Sequence, residues 1–440
     1  MKMRFFYLSI ILVLFVNTAK AQKVLGLKEC IGTGLERNFS LLVEKNNETI
    51  SNNNYTLGNA GYLPTLDLSS HYSGTTNNTT QNLYDGTQSI ANGVNNTTTN
   101  AAATLGLTIF NGFNVQTTYK KLNELKQLGG LNTQLSVENL ITDIISGYYN
   151  YIQQVQLLKN MKYAVALSRE RLRIDEERYS LGSSSKLQVL QSRVYLNADS
   201  SRFSKQTEVV RSAQISLNQL MAVDDMGTQF LSQDTTVDVN PNLIYETLLD
   251  QTLQKNTSLN IAAKNKTISE YDYKIVKSRS YPYLNLSTGY SYNLNTYSTG
   301  SNKNQITNGM NYGLTLGVNI FDGFNQRRSI NNSSIYMKNT ELRYLEIEQG
   351  VKADLLTIYN AYTNNLTLIK LETQNVQTAA ENLSIALEKY KLGSLAGIDL
   401  REVQKSLLDA KESLLLVQYQ AKIAEVSLQL ISGNVMEYFK

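Results

Sequence analysis

One hexapeptide occurs twice in the chain. IFNGFN stands at positions 109–114 and IFDGFN at 320–325, 211 residues later. The repetition is wider than these six residues. At an offset of 218, ERNFSL at 36–41 matches QKNTSL at 254–259, and LPTLDLSSHYS at 63–73 matches YPYLNLSTGYS at 281–291, so that Pro64 and Pro282 coincide. At an offset of 211, YSLGS at 179–183 matches YKLGS at 390–394. The third and last proline, Pro241, lies between the halves. The change of offset falls between Ser73 and Thr104, an Asn-, Thr- and Gly-rich stretch that reads as a surface loop. The chain therefore divides into two copies of one supersecondary unit, 22–240 and 241–440.

Within each copy the hydrophobic period switches. Leu66, Leu68, Leu105, Leu107 and Ile109 alternate with polar residues, as do Leu284, Leu286, Leu314, Leu316, Val318 and Ile320. This predicts four strands of about ten residues, the length a tilted membrane strand needs. The segments at about 74–100 and 293–310 read as outward loops. After each hexapeptide the period becomes helical. Leu355, Tyr359, Tyr362, Leu366, Ile369, Thr373, Val376, Ala380, Leu383, Leu387 and Tyr390 follow a seven-residue repeat, and Leu400 to Ile431 repeat it beyond a Leu-Gly-Ser turn. That is the pattern of an antiparallel coiled-coil hairpin. The matching seam of the first copy contains Lys162, Arg169 and Glu176, which predicts a weaker or more solvated seam. Long helices are expected over 113–179 and 324–390, each roughly 100 Å at 1.5 Å per residue. Shorter ones are expected over 24–60, 186–221, 243–279 and 398–431. Gly129-Gly130 inside the first long helix predicts a bend or tight packing.

The first residues carry Lys2 and Arg4, an apolar run over 5–16, then Ala19-Lys20-Ala21, which reads as a secretory signal over 1–21 with the mature chain starting at Gln22. No later apolar stretch approaches the twenty residues of a membrane-spanning helix, so any membrane insertion falls to the strands. Without Lys2, Arg4 and Lys20, 38 basic residues face 37 acidic ones, which gives no reason to expect nucleic acid as partner. Cys30 and His71 are the only residues of their kinds, so no Cys/His metal cluster and no His-based triad can be built. Cys30 reads as a buried thiol in a helix and His71 as a strand residue. No cofactor and no enzymatic activity are expected.

Four strands cannot close a barrel, and a lipid-exposed edge leaves backbone N–H and C=O groups unpaired at a cost of several kcal/mol each. Closure therefore needs further copies of the chain: two would give a filled eight-stranded barrel, three a twelve-stranded one with room for a channel. The hexapeptide then marks the place where a strand leaves the membrane and a helix begins. Asn111 and Asp322 can cap the helix, Gly112 and Gly323 allow the sharp turn, and Phe110, Phe113, Phe321 and Phe324 can serve as interfacial aromatics.

Together the duplicated half, the proline-led strands, the IF(N/D)GF junction and the tips ERYSLGSSSKLQVLQ and EKYKLGSLAGIDLREVQ resemble the TolC-like outer membrane efflux protein family across nearly the whole mature sequence. The resemblance implies a mixed α/β membrane protein: a homotrimer with a twelve-stranded barrel in outer membrane lipid over a long helical tunnel in the periplasm. Its tips would dock a periplasmic adaptor attached to an inner-membrane pump, and the chain would conduct passively, as the exit duct. A conduit for secreted polypeptides has the same architecture and stays open as an alternative; a non-channel adhesin or scaffold would have no use for the four alternating strands.

In that family the tunnel closes at its tips through acidic residues and a tyrosine and arginine network. Matching YKLGSLAGIDLREV to the motif puts the tyrosine on Tyr390 and the acids on Asp399 and Glu402. Leu395 occupies the arginine position and Gln188 stands where the accepting aspartate would be, so this polar lock reads as depleted. From spacing alone, Asp399 and Glu402 share a helix face near an N-terminus, where they either ring a pore or answer the helix dipole. Leu181, Gly182, Ser183, Leu392, Gly393 and Ser394 form turns by ordinary glycine capping, to which the resemblance adds adaptor contact.

Overall fold

The computed structural model describes residues 23–439; the signal segment expected over 1–21, with Gln22 after it, lies outside them. In chain order the elements are β1 Lys23–Leu25, α1 Leu27–Arg37, α2 Phe39–Asn54, α3 Leu57–Ala60, β2 Thr65–Asn82, β3 Gln88–Asn111, α4 Asn114–Ser180 and α5 Lys186–Leu220. There follow β4 Phe230–Ser232, α6 Tyr245–Lys255, α7 Thr257–Ser278, β5 Tyr283–Thr296, β6 Asn304–Gly317, α8 Asn325–Lys391, α9 Gly397–Ile431 and a 3-10 turn Val435–Tyr438. The fold is mixed α/β and rich in helix. No helix among the described residues is long and apolar enough to cross a membrane.

The described residues form two compact units that cut across the sequence repeats, one of residues 46–131 and 261–346, the other of 23–45, 132–260 and 347–439. The first unit holds the four-stranded antiparallel sheet, in the order β2-β3-β5-β6. Its register explains why these residues alternate. Opposite residues share a face in an antiparallel pair, and Leu66 faces Leu105, Leu107 faces Leu286, Leu284 faces Leu316 and Leu286 faces Leu314. One face is therefore apolar and carries Tyr72, Tyr290, Met310 and Tyr312 farther along. The other carries Asp67, His71, Asn100, Asn293 and Asn311, with the Asn100 amide donating to the Asn293 side-chain oxygen.

Two strand readings need correction. The stretch over 74–100 is no loop: β2 and β3 reach 18 and 24 residues and continue as a two-stranded ribbon beyond the last rung to β5, Thr97 to Thr296. Likewise β5 runs to Thr296, and the second turn is short. At the other end β6 stops at Gly317, so Val318 and Ile320 are not in a strand. Its partner β5 begins at Tyr283, after Pro282, which has no N–H to donate.

Both long helices are 67 residues, shifted by one from expectation. Gly129 and Gly130 lie inside uninterrupted helix, so of the two readings tight packing holds: a Cβ on Gly129 would come within 2.9 Å of the Ser51 Cβ. The segments expected as single helices over 24–60 and 243–279 are broken at Asn38 and Asn256. These two asparagines, at matching places in the repeat, do matching work. The side-chain oxygen of each accepts the N–H three residues on, Leu41 at 3.2 Å and Leu259 at 2.9 Å. Each amide nitrogen donates to a carbonyl at the far end of a returning helix, Leu220 at 3.0 Å and Ile431 at 2.9 Å.

In the second unit, the core gathers Ile141, Ile144, Ile145, Tyr148 and Ile152 of α4 with Cys30 and Ile31 of α1, Leu217 of α5 and Phe230 of β4. Cys30 is fully buried. β4 pairs in parallel with β1, two three-residue strands absent from the sequence reading. Tyr151 donates to the Phe230 carbonyl and Tyr148 to Asp234, both at 2.9 Å, which ties the 222–242 linker to α4.

Candidate functional site

The strand-to-helix junctions are built alike in both copies. Asn111 Oδ1 accepts the Val115 N–H at 3.2 Å and Asp322 Oδ2 the Gln326 N–H at 2.8 Å, so each caps the helix that follows. Gly112 and Gly323 have φ of 65° and 68°. The next residues, Phe113 and Phe324, are also left-handed at 68° and 62°, a strain the sequence does not announce because it falls on a bulky residue. That double left-handed turn folds each phenylalanine back edge-on against its predecessor, Phe110 with Phe113 and Phe321 with Phe324, at centroid distances of 5.2 and 5.3 Å. Phe113, Phe321 and Phe324 are exposed.

At the opposite ends of α4 and α8 two turns share one geometry. Ser183 N–H donates to the Arg178 carbonyl at 2.9 Å and Ser394 N–H to the Lys389 carbonyl at 3.0 Å, with Gly182 and Gly393 left-handed between them. This is the glycine cap that closes a helix through a bond from the second residue past its end. It turns Leu181 and Leu392 outward, where both are more than four-fifths exposed.

Just behind the turns lies a cluster of buried polar groups. Tyr390 is 1% exposed, and its hydroxyl donates to Asp175 Oδ1. Ser192 Oγ donates to the other oxygen of the same carboxylate. Arg171 Nε stands 3.9 Å from Asp175 Oδ2, and its guanidinium lies against the rings of Tyr195 and Tyr390 at 5.0 and 6.0 Å. Arg178 covers Tyr390 at 4.9 Å and donates to the Tyr390 carbonyl. Burial, reinforced by the hydrogen bond to Asp175, pushes the Tyr390 hydroxyl up to about 12. Gly397 admits the start of α9 to this cluster, since a Cβ there would meet Arg171 Nη2 at 2.7 Å.

Tyr390 therefore does have an aspartate partner, and it is not at the position the motif suggested. Gln188 is exposed, its side-chain oxygen accepts from Ser184 Oγ, and its N–H donates to Ser185 Oγ, the N-cap of α5. Asp175 lies off the seven-residue seam that runs through Lys162, Arg169 and Glu176, and those three residues are exposed. The buried stripe of α4 runs one position away, through Ala164, Ser168, Arg171 and Asp175, and three of its four members are polar. Leu395 packs against the apolar cluster of Leu383, Leu400 and Leu407. Asp399 and Glu402 are exposed on α9, and neither carboxylate has a side-chain partner among the described residues.

Comparison with known proteins fits this geometry. The family model described as outer membrane efflux protein matches residues 31–223 and 248–434. Over 200 residues the chain is 22% identical to outer membrane protein TolC of Vibrio cholerae; the match spans 44% of each chain, less than half the length of that relative. Among solved structures, the outer-membrane channel OprN superposes with a TM-score of 0.76 at 12% identity, covering 93% of this chain and 90% of the other. The outer membrane protein VceC of Vibrio cholerae superposes with a TM-score of 0.74 at 15% identity, covering 92% and 96%. At such identities these structures carry the fold alone. No group of three or more His, Cys, Asp or Glu placed to hold a metal ion occurs among the described residues.

Proposed function

The chain belongs to the outer membrane efflux protein family, and from that premise we propose that it is the exit duct of a tripartite efflux system. Three copies close their four strands each into a twelve-stranded barrel in the outer membrane, and their helices form the tunnel below it. The observation that carries this reading is the sheet. It has one apolar and one polar face and two open edges, β2 and β6. In lipid an open edge is untenable, so the sheet calls for neighbours, and an apolar exterior around a polar interior is how a membrane barrel separates lipid from water. The sequence repeats 22–240 and 241–440 then supply two quasi-equivalent staves per protomer.

At the periplasmic end, the exposed turns at Leu181, Gly182, Ser183 and at Leu392, Gly393, Ser394 meet a periplasmic adaptor that links the duct to an inner-membrane pump. The duct rests narrowed at this end. Tyr390, held by Asp175, keeps α8 and α9 against α4 and α5, and Asp399 and Glu402 from three protomers ring the constriction. Phe110, Phe113, Phe321 and Phe324, turned by Gly112 and Gly323, anchor the barrel rim at the lipid interface.

Deleting the gene tests the proposal. Sensitivity to drugs or bile salts should rise while the secreted proteome stays as it was. Loss of a secreted protein with unchanged drug sensitivity would reassign the duct to polypeptide export.

A further inference from the structure

The Tyr390 contact is one of two with the same design. In the first, Asp175 of α4 accepts from Ser192 of α5 and from Tyr390 of α8. In the second, Asp199 of α5 accepts from Ser168 of α4 and from Arg401 of α9, whose Nη1 and Nη2 reach it at 2.7 and 2.8 Å. Each is a buried carboxylate with a serine from its own hairpin and a donor from the other hairpin. Between the two, serine and aspartate exchange helices. Asp175 and Ser168 are seven residues apart on α4, as are Ser192 and Asp199 on α5, so the second contact lies two helical turns deeper. Tyr195 joins them, with the guanidiniums of Arg171 and Arg401 at 5.0 and 5.1 Å from its ring.

We propose that Asp199 and Arg401 form a second latch of the tip, which limits how far the α8–α9 hairpin swings once Tyr390 has let go. This rests on the duct reading above. The bidentate geometry fixes two planar groups face to face, and Asp199 is only 2% exposed, so water does not replace the contact while the hairpins touch. An outward swing of α8–α9 parts the contact nearest the turn first and this one second. Asp199 and Arg401 are positioning residues: they touch no cargo, and they act on the tunnel through the place of α9, which carries Asp399 and Glu402.

The test uses the full-length protein in planar bilayers, with Arg401→Lys and Asp199→Asn, alone and combined with Tyr390→Phe. Both replacements keep the volume of the site while removing the bidentate ion pair. Folding and insertion are followed independently by trimer recovery and midpoint of heat dissociation. The latch predicts a modest conductance rise in each single variant and a severalfold, more than additive rise when Tyr390→Phe is present. A conducting wild type whose conductance, and that of Tyr390→Phe, is unchanged by either replacement in inserted trimers overturns the latch alone. A wild type and a Tyr390→Phe variant that insert and never conduct overturn the duct reading, and the latch with it.

Discussion

Tyr390 and Asp175 are 215 positions apart in sequence and joined by a hydrogen bond in the structure. The pair links the end of α8 in the second repeat to α4 in the first, so the state of the tip is recorded in one contact. Removing the hydroxyl in Tyr390→Phe leaves Asp175 Oδ1 buried without its donor, at a cost of about 1–3 kcal/mol. Hydrogen–deuterium exchange should rise at residues 388–400 and stay unchanged in the sheet. Equal protection in both proteins would mean that the contact holds nothing.

The same contacts set a pH window. The Tyr390 hydroxyl is raised from 10.0 to about 12 by burial and then by Asp175, so its contribution is complete below pH 10 and is lost as pH rises toward 12. For Asp199, burial pushes the carboxyl up, but the Arg401 and Ser168 hydrogen bonds outweigh it and the net shift is downward from 3.8. Its contribution is present above that value and is lost as pH falls below it. Tip conductance should be flat between these limits and rise beyond each, the alkaline rise vanishing in Tyr390→Phe.

Arg171 gives a sharper test of the electrostatics. Its Nε and Nη1 have no hydrogen-bond partner although the side chain is 4% exposed, which suggests that its removal is harmless. The opposite should hold for Arg171→Met alone. It strands the buried Asp175 carboxylate among hydroxyl donors, and breaking one side of a buried pair typically costs about 3–5 kcal/mol. Adding Asp175→Asn, whose one amide oxygen still accepts from Tyr390 while its NH2 donates to the Ser192 hydroxyl, should recover most of the loss in the midpoint of heat unfolding. A double variant no better than Arg171→Met contradicts this.

The two copies of the hexapeptide make unequal demands on their glycines. A Cβ on Gly323 meets only Asn325 Nδ2 at 3.7 Å, so Gly323→Ala carries just the left-handed strain, about 1–2 kcal/mol. At Gly112 the Cβ would also run into the Ser278 carbonyl, which adds overpacking of about 1–3 kcal/mol. The yield of folded protein should therefore fall much further for Gly112→Ala than for Gly323→Ala.

Hydrophobic period made the long elements legible: the 67-residue helices, the junctions and the apolar face of the sheet all follow from the spacing of Leu, Ile, Val and Tyr. It was blind where burial is polar. Ser168, Arg171 and Asp175 line α4 on a face that no apolar count can find. β1 and β4 are three residues each, too short to show an alternation. The polar ribbon of β2 and β3 reads as a loop because Asn, Thr and Gly are the residues of turns, whereas backbone pairing holds it. Asp175 could have been suspected from Tyr390, a tyrosine at a seam position that must place its hydroxyl somewhere.

Single-channel conductance of the purified protein in a planar bilayer, measured beside Asp399→Asn combined with Glu402→Gln, reaches the central claim most directly. A duct narrowed by these unpartnered carboxylates predicts a small, steady conductance whose cation preference drops in the variant. Inserted, well-folded protein that conducts no ions in either form would contradict it.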